Sequence, residues 1–265
     1  MRVEELSNRP AAQLRRTEFA IAEQQRSAIG HERAVWELRI VHDRSRTWWQ
    51  WVTLLRHRRE ERAFRKRAPR ADRTLPHRLA QQQAGVDAEE RVTQDLRVLS
   101  DEWTAFRGYA NRHGEVDHVL VGPRGVWAIE VKGRGIRVNV TGDDWWFDKF
   151  DRYGNLVERG ALSDRGGRNW GRQVTEAADD LERFFRSRGA KVTVRTAVVV
   201  VHERAELGIQ RDLRVDALSI GTDGLLRRIA EEPERLDAPT RSRIIALIRR
   251  DHQFHAGRRA QPRFR

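Results

Sequence analysis

The 265-residue sequence predicts an α/β fold in which a central mixed sheet is flanked by helices. Three features support this class. Apolar residues recur at three- and four-residue steps from Gly85, as is typical of an amphipathic helix. Two strand-like runs within residues 116–131 flank a Gly-Pro-Arg-Gly turn and predict an antiparallel hairpin. Residues 191–201 are too apolar to be half exposed, and they indicate a central strand buried on both faces.

The hairpin has a register that brings two carboxylates together. If Val121 faces Val126, counting outward along the ladder sets Asp117 opposite Glu130. Directly opposed side chains lie about 4.5–5.5 Å apart, and like charges in that arrangement are destabilising. A divalent cation is the usual compensation, because hard oxygen ligands on rigid neighbouring strands suit Mg²⁺ or Mn²⁺.

Alternation along the second strand places Lys132 on the same face as Glu130. The ordinary explanation for alternating charges is the solvated face of a sheet, since charged residues are mostly exposed. Here the flanking positions are apolar and no Arg or Thr ladder surrounds the charges. This pattern favours an active site over a solvated face.

The helix that begins near Gly85 carries a further carboxylate on its core-facing side, Glu89. A buried carboxylate needs a partner, and the hairpin offers either a metal ion or Lys132. The alternative is a helix-start glutamate that the helix dipole favours.

The formal net charge of +13 and the pI near 11.2 predict a polyanionic partner, either nucleic acid or an anionic membrane surface. A genome that favours Arg explains the Arg-to-Lys ratio but not the net charge. The chain has no cysteine, which excludes disulfides, thiolate zinc sites and cysteine nucleophiles. We expect a cytoplasmic protein without a transmembrane segment, because no apolar run approaches the roughly 20 residues that span a bilayer.

The chain divides into three predicted regions. Residues 1–80 are rich in Arg, Glu and Gln and predict a basic helical extension with a linker. Residues 81–232 form the predicted compact domain. Residues 233–265 are predicted to be a C-terminal helix followed by a basic, disordered tail.

Other elements of the compact domain have weaker signals. The tetrad at 141–144 predicts the turn of a second hairpin. The remaining predicted elements are a helix over 173–188, a strand over 213–220 and helices over 223–230 and 240–251.

The extension contains one dense apolar patch around Trp48, Trp49 and Trp51, which is followed by arginines. This arrangement suits peripheral contact with an anionic membrane. It equally suits base stacking beside phosphate-binding arginines. Packing against a partner helix or the compact domain is a third reading, because aromatic residues at helical spacing are usually core.

Several short motifs in the compact domain recur together. They are Gly85-x-x-Ala88-Glu89, then Glu115-Val-Asp117-His118-Val-Leu-Val-Gly-Pro-x-Gly125-Val-x-Ala-Ile-Glu130-Val-Lys132, then Gly142-Asp-Asp-Trp145 and Asn169-x-x-x-Gln173. With these motifs, residues 82–230 resemble the nuclease-related domain (NERD) family of the PD-(D/E)xK phosphodiesterase superfamily. Two positions depart from the pattern: Ala88 replaces a glycine, and Trp170 replaces a proline. Neither is charged, so we expect them to affect local backbone shape rather than chemistry.

The resemblance implies a PD-(D/E)xK-like three-layer core and a set of site residues. Asp117, Glu130 and the backbone carbonyl of Val131 would bind one or two Mg²⁺ or Mn²⁺ ions. Lys132 would position or activate the attacking water. Glu89 would complete the outer metal shell.

Two polar residues are implied to contact substrate or support the site, namely Gln173 and Asn169. A helix N-cap is an equally good reading of Asn169. His118 alternates to the face opposite Asp117, so we expect a packed histidine rather than a base.

The sequence therefore predicts a metal-dependent nuclease that hydrolyses phosphodiester bonds, of DNA rather than RNA, by a metal-activated water. The alternative is a non-catalytic adaptor, derived from a nuclease domain, that binds nucleic acid or a membrane surface. The intact carboxylate pair with Lys132 favours catalysis, because an adaptor has no reason to keep two mutually repelling carboxylates.

Overall fold

The computed structural model describes residues 1–44, 51–164 and 166–260. Trp48 and Trp49 lie outside the described residues, and so does the side chain of Trp51. The chain forms two compact units, one of Met1–Pro10 with Ala84–Arg265 and one of Ala11–Gln83. The described helices include none that is both long and apolar enough to cross a membrane.

The elements follow one another along the chain as six helices and ten strands in the described residues. They are β1 (Arg2–Glu5), α1 (Arg9–Arg44), α2 (Trp51–Lys66), α3 (Leu75–Leu96), β2 (Thr104–Ala110), β3 (Glu115–Gly122), β4 (Gly125–Lys132), β5 (Arg137–Thr141), β6 (Asp144–Phe150), β7 (Leu156–Ala161), α4 (Trp170–Ser187), β8 (Val194–Val200), β9 (Glu206–Arg211), β10 (Ala217–Ile220), α5 (Thr222–Glu231) and α6 (Ala238–Ala260).

The main sheet of the larger unit is mixed and has the strand order β1-β2-β3-β4-β8-β10. The hairpin β3–β4 is antiparallel, and Val121 pairs with Val126 as predicted. Strand β8 lies parallel to β4 on one side and to β10 on the other. Its side chains are nearly all buried, which confirms the predicted central strand.

Helices cover both faces of this sheet. On one face, the second half of α3 and helix α5 bury Val92, Leu96 and Leu225 against strand residues that include Trp127. On the other face, apolar residues of α4 and α6 enter a second cluster. The result is a three-layer α/β core, and it confirms the predicted fold class.

A smaller sheet with the order β7-β6-β5-β9 adds to the α4 side of the core. Its β5–β6 hairpin pairs Thr141 with Asp144, as the tetrad predicts. The two-residue turn places Gly142 at a φ of 59°, in the left-handed region that glycine tolerates best.

The structure differs from the sequence prediction at three boundaries. The first residues form β1, which pairs with β2 in the main sheet, rather than part of a helical extension. Helix α3 begins at Leu75 and continues through Gly85. Helix α6 extends to Ala260 and buries Ile244 and Ile248 in the main core, so the C-terminal helix is part of the larger unit.

The smaller unit consists of α1, α2 and the beginning of α3. Ion pairs link α1 to α2, with Arg39 lying 3.3 Å from Glu61 and His42 lying 3.1 Å from Glu60. The imidazole of His42 also stacks on that of His57, with 3.9 Å between the ring centroids. These contacts agree with the predicted charge-laced helices.

Candidate active site

The predicted carboxylates meet where β4 ends and β3 begins. The printed ladder ends at His118 opposite Ile129, so the next position sets Asp117 against Glu130. Asp117 shares the parity of Val119, which belongs to the cluster on the α4 side of the sheet. The site therefore lies on the α4 side.

A backbone hydrogen bond fixes the position of one carboxylate. The N–H of Val131 donates to Oδ2 of Asp117 over 2.7 Å. Glu130 is 8% exposed, and its Oε1 accepts a hydrogen bond of 2.5 Å from Nζ of Lys132. The strand pairing thus brings Asp117, Glu130 and Lys132 into one half-buried group.

Helix α4 supplies two further contacts to the lysine. Nζ of Lys132 donates to Oε1 of Gln173 over 3.2 Å. It also lies 5.7 Å from the centre of the Trp170 ring, within the range of a cation–π interaction. The ammonium is therefore held from three sides, by Glu130, Gln173 and Trp170.

The beginning of α4 is fixed by its cap. Oδ1 of Asn169 accepts from the N–H of Arg172 over 2.7 Å, and Nδ2 of Asn169 donates to the carbonyl of Asp143 over 2.6 Å. Both ends of the Asn169 amide are thus engaged within the protein. The side chain of Gln173 is oriented in the same region, because its Nε2 donates to the carbonyl of Arg168 over 3.2 Å.

Helix α3 passes close to the end of β4. A Cβ atom on Gly133 would lie 2.5 Å from the carbonyl oxygen of Ala84, so the glycine permits this close approach. Glu89 stands on the same helix and is half-buried. Burial raises the pKa of Glu89 to about 7, Arg107 opposes that rise, and the carboxylate of Glu130 adds to it.

The charges of the group perturb one another. Burial raises the pKa of Asp117 well above its usual range, and repulsion from Glu130 and then Glu89 raises it further. Burial alone would lower the pKa of Lys132, but attraction to Glu130 and Asp117 outweighs it, so the net shift is upward. Lys132 is thus held as an ammonium, whereas the carboxylates lack positive charge.

His118 points to the opposite face of the sheet, as predicted. It is fully buried, and its Nε2 lies 2.8 Å from Oγ1 of Thr93 on α3. Burial lowers the pKa of His118 to about 3, and nearby Arg107 contributes to the same shift. A neutral, packed imidazole at this position takes no part in the group around Lys132.

The donor set fits a hard divalent cation that keeps several waters. Within the described residues no three His, Asp or Glu side chains form a ready-made metal cluster. Mg²⁺ is commonly held by only one or two carboxylates together with waters and substrate phosphates. Asp117 and Glu130 meet that minimum, and the upward pKa shift of Asp117 shows that the pair lacks positive charge.

Comparison with known families agrees with this geometry. Residues 84–201 match the family model described as the nuclease-related domain, NERD. These residues form a nuclease-related domain. The match confirms the resemblance inferred from the motifs, and it contains every predicted site residue. No curated protein and no solved structure matches the chain.

Two neighbours of the nuclease-related site were not anticipated from the sequence. Trp170 was expected to alter only backbone shape, but the structure places its ring beside the Lys132 ammonium. Arg107 on β2 was not singled out, yet it is the cation that most lowers the pKa of Glu89. An unusual aromatic residue within a charged motif is the one sequence signal that pointed to either of them.

Proposed function

We propose that this protein is a divalent-metal-dependent nuclease that hydrolyses phosphodiester bonds, with DNA as the preferred substrate. The observation that carries the proposal is the meeting of Asp117, Glu130 and Lys132 at the paired ends of β3 and β4, within a nuclease-related domain. The net charge of +13 supports a polyanionic substrate.

The residues divide the work of the reaction. Asp117, Glu130 and the carbonyl of Val131 would hold Mg²⁺ or Mn²⁺. When bound, such an ion neutralises phosphate charge and lowers the pKa of a coordinated water. Glu89 stands close enough to affect the charge of both carboxylates, and we assign it to the outer part of the metal site.

Lys132 is assigned to the developing negative charge of the phosphate. Its ammonium is oriented in advance by Glu130 and Gln173, so little reorganisation is needed as charge builds up. Gln173 is assigned as a support for Lys132 that can also contact the substrate. Asn169 contributes by capping α4, which positions Gln173 one turn later.

Cleavage of labelled single- and double-stranded DNA and RNA, with Mg²⁺, Mn²⁺ or EDTA, tests the proposal. Lys132→Met should reduce metal-dependent cleavage by roughly 10²-fold or more, the scale for losing one electrostatic stabiliser. Lys191→Met is the matched control, because Lys191 is exposed and lies outside the site. We expect it to cleave like the wild type.

Two outcomes would count against the proposal. Wild-type cleavage by Lys132→Met would place any nuclease activity elsewhere. Tight binding of nucleic acid without cleavage under every metal condition would favour the adaptor function instead.

A further inference from the structure

A second cavity lies between α4 and α6, apart from the site around Lys132. Its volume is about 810 Å³, which is within the range typical of ligand pockets. None of its lining residues belongs to the catalytic group. Both helices and the turn between β2 and β3 contribute to its walls.

Four arginines line this cavity, and they fall into two classes. Arg112 and Arg183 both donate to Asp180, so their charge is partly neutralised within the protein. Arg188 and Arg250 have no carboxylate partner among the described residues, although the guanidinium of Arg188 lies 5.6 Å from the Phe184 ring. The cavity thus offers two guanidinium groups for an anion.

The cavity also carries an exposed aromatic surface. Phe254 is 57% exposed on α6, and its ring meets that of His255 edge to face with 5.1 Å between the centroids. A large apolar side chain exposed at the rim of a basic cavity is costly in water. A planar ligand that stacks on the ring would remove that cost.

Buried polar residues give the cavity a fixed floor. Asp251 is 8% exposed and accepts a hydrogen bond from the buried hydroxyl of Tyr109. Asn111 is buried as well, and its Nδ2 donates to the carbonyl of Ala177 over 3.1 Å. Because these groups are satisfied internally, the open binding capacity is that of the arginines and the phenylalanines.

We propose that this cavity binds a nucleotide unit, with its base stacked on Phe254 and its phosphate at Arg188 and Arg250. The combination of a basic groove with an aromatic platform is how proteins hold single-stranded nucleic acid. The proposal rests on the proposed nuclease function for the view that the nucleotide belongs to the substrate strand.

Helix α4 connects the cavity to the catalytic group. Gln173 contacts Lys132, and Phe184 lines the cavity eleven residues later on the same helix. The axial rise between these two positions is about 16 Å. A single strand of a few nucleotides can therefore occupy both places at once.

Fluorescence polarisation with a labelled oligo(dT) strand tests this proposal. The full chain is measured in EDTA, so that cleavage does not contribute. Phe254→Ala should weaken binding by about fivefold to a hundredfold, the range for losing one stacked base. Arg250→Ala should lower the slope of log affinity against log salt by about 0.7, the value for one phosphate of a single strand.

Matched controls separate these effects from general loss of charge or aromatic surface. Arg227→Ala removes an exposed arginine from α5, on the opposite face of the main sheet. Tyr153→Ala removes a 72% exposed aromatic ring from the turn between β6 and β7. Both controls should bind oligo(dT) like the wild type.

The outcomes distinguish this proposal from the proposed nuclease function. Equal affinity of Phe254→Ala, Arg250→Ala and wild type would overturn the cavity proposal, and so would a wild type that binds no oligo(dT). Neither result affects the cleavage test with Lys132→Met, which uses another readout and another residue. If dTMP competes as well as the strand does, the cavity takes a free nucleotide; if only the strand binds, it holds substrate.

Discussion

Glu89 should make the folded protein less stable as the pH rises through the neutral range. Burial raises the pKa of this carboxyl from 4.5 to about 7. Between these values the folded state keeps a proton that the unfolded state releases. Stability therefore falls with increasing pH across this window, and the loss is complete above about pH 7.

The magnitude follows from the size of the shift. At 1.36 kcal/mol per pKa unit, a rise from 4.5 to about 7 corresponds to about 3 kcal/mol at most. Solvent reaches part of the Glu89 side chain, so we expect about 1–3 kcal/mol. Glu89→Gln should recover this amount at pH 8, and most of the gain should disappear at pH 5.

Urea denaturation in EDTA at both pH values measures the effect. Glu90→Gln is the matched control, because Glu90 is the next residue and has the opposite shift. A hydrogen bond from Gln94, and then one from Arg107, lower the pKa of Glu90. Its replacement should therefore slightly destabilise the protein at pH 8. If Glu89→Gln is no more stable than the wild type at pH 8, the burial and repulsion assigned to Glu89 are wrong.

Three further predictions concern metal, salt and the edge of the sheet. Mn²⁺ should raise the Tm of the wild type by mass action and should raise that of Asp117→Asn much less; equal rises would remove the metal site. Affinity for duplex DNA should fall with salt at a log–log slope near −0.9 per phosphate neutralised, and a flat response would assign the positive charge to another partner. Deleting residues 1–8 removes β1 and the pairing of Glu4 with Arg249 at 2.8 Å, so a truncated chain should aggregate more readily at the uncovered edge of β2; unchanged solubility and Tm would contradict this.

The site was predictable because its signals are local. The turn fixes the register of the β3–β4 hairpin, and the period of two then decides which side chains share a face. The arrangement of Asp117, Glu130 and Lys132 needs no information from distant parts of the chain. By contrast, Trp170 lies beside Lys132 only because α4 crosses the sheet, which no local pattern reveals.

The elements that were missed are short strands with weak patterns. β1 contains three charged residues in four positions, and β7 is almost wholly exposed, so neither shows apolar alternation. Such strands form because a neighbouring strand offers them hydrogen bonds. Gly85 misled the prediction of where α3 begins, since a helix tolerates one glycine at a cost of about 1 kcal/mol.

The position of the catalytic group on β4 has a consequence for how the molecule breathes. This strand lies between β3 and β8 and is buried along almost its whole length, and the carbonyl of Lys132 accepts from the N–H of Val201. Amide hydrogens in such a strand exchange only when the whole unit unfolds. Glu130 and Lys132 therefore remain in place through local fluctuations, and access for a bulky polymer has to come from movement of the α4 side, where Trp170 and Gln173 cover the lysine.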